Sequence, residues 1–551
     1  MSGIVEQQLQ NLDKQTLILL LRQTMASNAG LQKTVDQLNA NISLLTEEVR
    51  SLRMHRFGRS SESNLTGTDG QMSFAINEDG SIAFNEAESV TDAHPEIQEP
   101  EMQDIHYKRK KPAGKREENL DGLPSEPVYH EMTEEQLLEV FPDGKWKRLP
   151  DVVYKRLEYL PASTKVLEHH VAVYAGADNQ TIVKADRPAD LFRNSVATPS
   201  LVAGILNCKF VNSEPVARLS RDFENHDIFI STQVMCNWVI LSANRYMRRL
   251  YDRMKEKLFS YHVIHADETP VQVNRDGRPA GAKSYMWVYR SGALEDNPFV
   301  LYEYQKTRKA DHPREFLKGF HGFCVTDGYQ VYHLLDQERE DLNVAGCWSH
   351  ALRGFSEVVK TLGKEKAKGT SAYKALQIIQ TICEREKSYK TFSPEERLDK
   401  RTSEVAPLVD AFFAYIRSES LRVTPKSLTG KSITYCLNQE KYLRVFLTDG
   451  LVPIDNNAAE RSIRTFCLGK KNWYVIDTIS GAQASAIHYS IAESARANDL
   501  KPYEYFKYVL TELPKHKEFE DPSYLDELLP WSKTLPDTCY KKQPSKVTTT
   551  E

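Results

Sequence analysis

Leu31, Val35, Leu38, Ile42, Leu45, Val49 and Leu52 recur at alternating intervals of four and three residues. That is a heptad seam with leucine at d and β-branched residues at a, the choice that favours parallel two-stranded coiled coils. Residues 1–60 are therefore expected to form a self-association helix, with homodimers or larger assemblies joined through 31–52. No period continues through 61–119. Over 120–190 the runs DVVYKRLEYL, TKVLEHHVAVYA and TIVKA alternate apolar and polar positions, which predicts a small antiparallel β-rich module. The pattern turns helical over 191–258. Within it, 213–246 reads as helix, turn, helix, with Ser231 as the cap of the second helix. A DNA-reading helix-turn-helix has this form. The apolar second helix (Val234, Met235, Trp238, Val239, Leu241) favours a packed pair.

Residues 259–292 hold two alternating runs around a Gly/Pro/Asp-rich turn, a hairpin signature. A third strand is expected at 299–308, a short helix at 312–320, a strand in 322–332 that ends in Asp-Gly, a buried strand at 343–347, and a helix from Trp348. Three antiparallel strands followed by alternating helix and strand suit an α/β domain with a mixed sheet, as in ribonuclease-H-like folds. Its first part spans 259–355. A charged helical insertion, 356–445, follows. The core resumes at 446–511, and 512–551 form a C-terminal tail.

Composition adds limits. The 551 residues are 40% hydrophobic and 27% charged, enough for several ordinary cores. No run of 18 apolar residues occurs, and the N-terminal residues lack the basic-then-apolar order of a signal peptide. The eight cysteines are scattered without a CxxC pair, which points away from a disulfide framework or a cysteine-based zinc module and towards a reducing cytoplasm. The net charge of −4 conceals an asymmetry. Residues 62–106 carry eleven acids and no Lys or Arg, and are expected to be a disordered tether. The run YKRKKPAGKR, 107–116, follows, in which Lys108, Arg109, Lys110 and Lys111 are candidates for phosphate contact or a solvated linker.

Three carboxylates stand out. Asp267 (VIHADETP) and Asp327 (CVTDGYQ) are placed at strand ends, where two carboxylates on adjacent strands lie about 5 Å apart. Glu460 sits in IDNNAAERSIR, just inside a helix expected to be capped by Asn456 or Asn457. Hard divalent cations take oxygen ligands of this kind, and paired metals serve phosphoryl transfer. Bland readings stand beside this one: Asp-Gly is ordinary turn chemistry, and Glu460 with Arg464 forms an i,i+4 helix pair. Glu268 competes with Asp267 from the opposite strand face.

The chain resembles transposases of the IS66 family, from bacterial insertion sequences. The matching stretches are HADETPVQV (265–273), HPREFLKGF (312–320), VTDGY (325–329), AGCWSHALRGF (345–355), IDNNAAERSIR (454–464) and LGKKNWYV (468–475). The heptad helix running into RFGRSSE (56–62), FNEAE (84–88) and the basic linker also resemble the family. The resemblance implies a DDE enzyme whose catalytic, metal-binding triad is Asp267, Asp327 and Glu460, with Mg²⁺ or Mn²⁺ as cofactor. The implied substrate is double-stranded DNA, both transposon ends and target, and small accessory proteins are implied as possible partners. The alternatives are an inactive DNA-binding regulator descended from a transposase, or a related nuclease. Many family members carry a cysteine zinc segment before the catalytic domain. Here no Cys precedes position 208, and His130, His169 and His170 make no replacement set, so no zinc is expected. Around the triad, Arg461, Arg464, Lys470 and Lys471 are candidate phosphate contacts. Trp473 is a candidate stacking residue set against a core role. His350, and less strongly His265, are candidates for orienting a carboxylate or phosphate.

Overall fold

The computed structural model describes residues 190–542, apart from 280, 293, 294, 518 and 519, together with 164–175, 182–184 and a few short or isolated stretches nearer the N-terminus. The heptad seam and the basic run 107–116 lie outside the described residues. The chain divides into two units. In the smaller, which contains Ser89–Ala189, strands Val173–Ala175 and Ile182–Lys184 pair antiparallel, with Tyr174 opposite Val183.

The larger unit begins with helices α1 (Pro199–Leu206), α2 (Val216–Glu224), α3 (Thr232–Ser242) and α4 (Arg248–Leu258). Ser231 caps α3 by accepting from the Val234 N–H at 3.3 Å. Met235, Trp238 and Val239 are buried, so the recognition face a DNA-reading helix would need is partly spent on packing. Val234 and Leu241 remain exposed.

The sheet follows: β1 (Val263–Arg275), β2 (Lys283–Ser291), β3 (Val300–Gln305), α5 (Asp311–Phe316), β4 (Gly322–Val325), α6 (Gln330–Glu338) and β5 (Leu342–Ala345). The strand order is β3-β2-β1-β4-β5. The first three strands are antiparallel neighbours, whereas β1, β4 and β5 run parallel. The front half of β1 is flanked on both sides and buried on both faces; beyond Thr269 burial alternates, as a strand with one covered face requires.

Between β5 and the IDNNAAERSIR stretch lies an all-helical segment: α7 (Trp348–Leu362), α8 (Ser371–Ser388), α9 (Pro394–Lys400), α10 (Ala406–Ser420) and α11 (Leu428–Asn438). It has its own apolar core around Trp348, Phe355, Phe412, Phe413 and Phe446. The segment is fastened back to the sheet. The Gly346 N–H donates to Tyr442 O at 2.9 Å, and the Trp348 N–H to Ile454 O at 3.1 Å. The chain then enters α12 (Asn457–Trp473), β6 (Ile476–Thr478), α13 (Ile479–Ala497) and α14 (Pro502–Glu512).

Helix α12 is bonded to β2 and β3: Arg290 donates to Ala458 O at 3.0 Å, and the Tyr302 hydroxyl to Ser462 O at 2.7 Å. β6 then pairs in parallel with the far end of β1, Ile476 opposite Val273. The Ala/Ser-rich α13 is buried almost all round. Its small side chains let it approach edge strand β3, whose Val300 and Tyr302 N–H groups donate to Ser494 Oγ (2.9 Å) and Ser490 Oγ (2.8 Å). An edge that would otherwise present free donors is thereby closed.

Candidate active site

The β1–β4 register sets two of the acids side by side. His265 lies opposite Val325, and β4 ends there while β1 runs on. Two residues further on each chain stand Asp267 and Asp327. Asp327 is just past its strand, as expected. Asp267 is inside a 13-residue strand, not at its end, because β2 and later β6 continue to pair with β1 after β4 has stopped.

Asp327 is held by its turn. Its Oδ1 accepts from the Tyr329 N–H at 2.9 Å, and its carbonyl accepts from the Tyr435 hydroxyl of α11 at 3.0 Å. Gly328 has φ +94, a conformation that favours glycine, and a Cβ there would crowd the Tyr435 hydroxyl oxygen at about 3.0 Å. Asp267 Oδ1 accepts from the Glu268 N–H at 2.8 Å. Burial, then the charges of Asp327 and Glu268 and, more weakly, Glu460, push Asp267 up to about 8. Three carboxylates thus press on one partly buried aspartate.

Glu268 takes the other face. It is buried, accepts from Arg308 Nε at 2.7 Å and from the Tyr332 hydroxyl at 3.3 Å, and pairs with the rest of the Arg308 guanidinium. Arg308 in turn stacks 3.7 Å over the Tyr329 ring. Glu268 is thus paired with Arg308, although burial and the Asp327 charge still hold its carboxyl above the usual glutamate range.

Glu460 arrives on the first turn of α12. Asn456 occupies the cap position, yet its side chain makes no capping bond. It is fully buried and bridges to β1 instead: Nδ2 donates to Ala266 O at 3.0 Å, and Oδ1 accepts from His265 Nδ1 at 2.9 Å. The capping duty passes to Asp455, whose Oδ1 accepts from the Asn457 N–H at 3.1 Å. The helix start is thus pinned one residue from Asp267. Burial drives the His265 pKa down to about 4, so the ring is neutral and donates from Nδ1.

The arginine that pairs with Glu460 is Arg353 of α7, with Nη2 3.2 Å from Oε2. Arg464, four residues along the same helix, is exposed, as is Arg461. His350, one turn before Arg353, brings Nδ1 to 3.7 Å from Glu460 Oε1. Burial and the Arg353 charge hold His350 below the usual histidine range. Lys470 donates to Pro270 O on β1 at 2.9 Å. Lys471 is half-buried on the same helix. Trp473 is partly buried against the core, with Lys209 Nζ 4.1 Å from its ring and Tyr489 behind it, which is the core role.

Residue-type reasoning had not singled out Arg353 and Cys347. Both lie in CWSHALR, and their signal was spacing: Cys347, His350 and Arg353 recur every three residues, on one side of α7. The donor set of Asp267, Asp327 and Glu460 is all oxygen, and the charge crowding at Asp267 is of the kind a hard divalent cation relieves.

The mixed sheet thus supplies acids from β1 and from the end of β4, and a crossing helix supplies Glu460. Comparison with known proteins supplies the family. Residues 194–484 match the model described as "Transposase IS66 family", residues 490–531 the "IS66 C-terminal element", and residues 44–128 "Transposase C of IS166 homeodomain". The first match alone covers more than half of the chain, which belongs to the IS66 transposase family. Similar proteins include three from Sinorhizobium fredii, each described only as uncharacterized. Protein y4hP is 27% identical over 406 residues, 70% of this chain and 72% of that one. Protein y4jD is 26% identical over 402 residues (71% and 76%), and y4qI is 25% identical over 391 (69% and 70%).

Proposed function

We propose that this chain is the transposase of a bacterial insertion sequence, which binds the element's ends, cleaves DNA and joins the freed 3′-OH to target DNA. The observation that carries the reading is that the charges of Asp327 and Glu460 both act on the buried Asp267, while the neighbouring Glu268 is paired with Arg308. The strand order β3-β2-β1-β4-β5, antiparallel then parallel, supports a ribonuclease-H-like core whose acids come from β1, β4 and a later helix. On this reading residues 259–355 and 446–511 form one core around the helical insertion 356–445.

Asp267, Asp327 and Glu460 would hold Mg²⁺ or Mn²⁺. Such a cation, when bound, activates a hydroxyl nucleophile and stabilises charge on the departing 3′ oxygen. The protein's own side chains do the rest. Asn456 and His265 fix where α12 starts and therefore where Glu460 points. Arg353 and His350 set the rotamer of Glu460. Arg461 and Arg464, exposed on the same helix, contact phosphates of the end being cut. The test is strand transfer. A labelled duplex carrying the inverted repeats that bracket the gene is incubated with protein, Mg²⁺ and a plasmid. Label joined to plasmid is expected. Release of short fragments without joining would mark a plain nuclease, and binding without cutting would mark a regulator.

A further inference from the structure

Cys347, His350 and Glu460 each bring one donor atom to within 4.8 Å of the other two. Cys347 stands at the N-cap of α7, His350 one turn inside the same helix, and Glu460 reaches them from α12. The 3.7 Å between His350 Nδ1 and Glu460 Oε1 is too long for a hydrogen bond. It is near the roughly 3.3 Å edge of a tetrahedron built with bonds of about 2.0 Å to a zinc-sized ion. His350 Nδ1 is buried and has no hydrogen-bond partner among the described residues, although it faces this group. The Cys347 sulfur receives the N–H of Asn456 at 3.2 Å and that of His350. Burial pushes the Cys347 thiol up to about 12 despite these two backbone donors, so the cation itself has to displace the proton. Thiolate, imidazole and carboxylate together suit a borderline-soft cation, whereas the three acids beside them suit a hard one.

We propose that Cys347, His350 and Glu460 form a second divalent-cation site, of zinc type, which competes with the Asp267–Asp327 centre for Glu460. The competition rests on the transposase reading; the site itself does not. On binding, the S–H bond of Cys347 breaks, a metal–sulfur bond forms and the proton leaves to solvent. Arg353 Nη2 lies nearer Glu460 Oε2 (3.2 Å) than Oε1 (3.5 Å), and His350 faces Oε1, so the ion pair can persist through Oε2 when Oε1 ligates. A carboxylate committed to this ion is withdrawn from the neighbouring centre, and zinc therefore acts as an inhibitor of strand cleavage.

The experiment is a Co²⁺ titration of the chelator-stripped full chain without DNA, followed by absorbance. The expected result is a thiolate-to-cobalt charge-transfer band with intense tetrahedral d–d bands, saturating at about one equivalent and bleached by Zn²⁺. The band is expected to vanish in Cys347→Ser, with folding checked by circular dichroism. In His350→Gln, which keeps the thiol, cobalt affinity is expected to fall roughly tenfold or more. Absence of the band, or its survival in Cys347→Ser, overturns the site. Competition is read separately: Zn²⁺ suppresses Mg²⁺-driven cleavage by the wild-type chain, but not by Cys347→Ser relative to that variant's own zinc-free rate. Equal suppression of both overturns the inhibition. Cobalt bands in a protein that cuts no DNA would count against the transposase reading and leave the cation site standing.

Discussion

Asn456 Oδ1 lies 2.9 Å from His265 Nδ1, and the same amide donates to the carbonyl of Ala266, the residue before Asp267. A residue at the head of one helix thus locks that helix to the strand bearing the first acid. Replacing it with alanine leaves a buried imidazole N–H and a buried carbonyl without partners, at a cost of about 2–4 kcal/mol. Chemical denaturation of Asn456→Ala should show that loss. Cleavage should fall further than the unfolded fraction explains, because Glu460 loses its fixed starting point.

The neighbouring acids Asp267 and Glu268 are expected to behave in opposite ways. Arg308→Ala strips the buried Glu268 carboxylate of its charged partner. Breaking one side of such a pair typically costs about 3–5 kcal/mol, and the half-exposed arginine places this case near the lower end. The loss should shrink in acid, where Glu268 takes up a proton, and urea melts at two pH values would record it. Asp267→Asn, by contrast, removes a crowded charge and should leave the metal-free protein at least as stable as the wild type.

Glu303 on β3 gives a pH signature away from the site. Burial pushes it up to about 7, and its Oε2 has no hydrogen-bond partner among the described residues. With the folded pKa above the unfolded value, its contribution is fully present below the ordinary glutamate range and is lost as pH rises through about 7. Glu303→Gln should therefore match the wild type at about pH 4 and exceed it by about 3 kcal/mol at about pH 9, in thermal or urea melts.

The sheet was legible because its strands carry period-two patterns and its turns carry Gly and Asp. Asp327 was legible for the same reason, as the residue where an apolar run meets Asp-Gly. The full length of β1 was not: β2 carries it past Asp267 to Gln272, and its last residues pair with β6, a three-residue strand arriving some 200 positions later. The pairing of Glu268 also needed the fold, since alternation says only that Asp267 and Glu268 face opposite ways, and Arg308 reaches Glu268 from 40 residues along the chain. The capping reading of IDNNAAERSIR found the helix start and misplaced the cap. Asn456 is the right residue type for a cap, but its tertiary bonds to β1 prevail over the local one, and Asp455 substitutes. Glu460's partner was misread in the same way. The local i,i+4 arginine, Arg464, is exposed, while Arg353 reaches Glu460 from 107 positions earlier in the chain.

On the proposed function Asp267, Asp327 and Glu460 act as one metal-dependent centre, of which Glu460 is the most distant member in sequence. The most direct measurement compares wild type and Glu460→Gln for cleavage of end-labelled DNA bearing the element's inverted repeats in Mg²⁺, with DNA binding measured alongside. The expected result is binding within about twofold of wild type and cleavage reduced by roughly a thousandfold or more. A Glu460→Gln protein that binds and still cleaves at a wild-type rate would contradict the account.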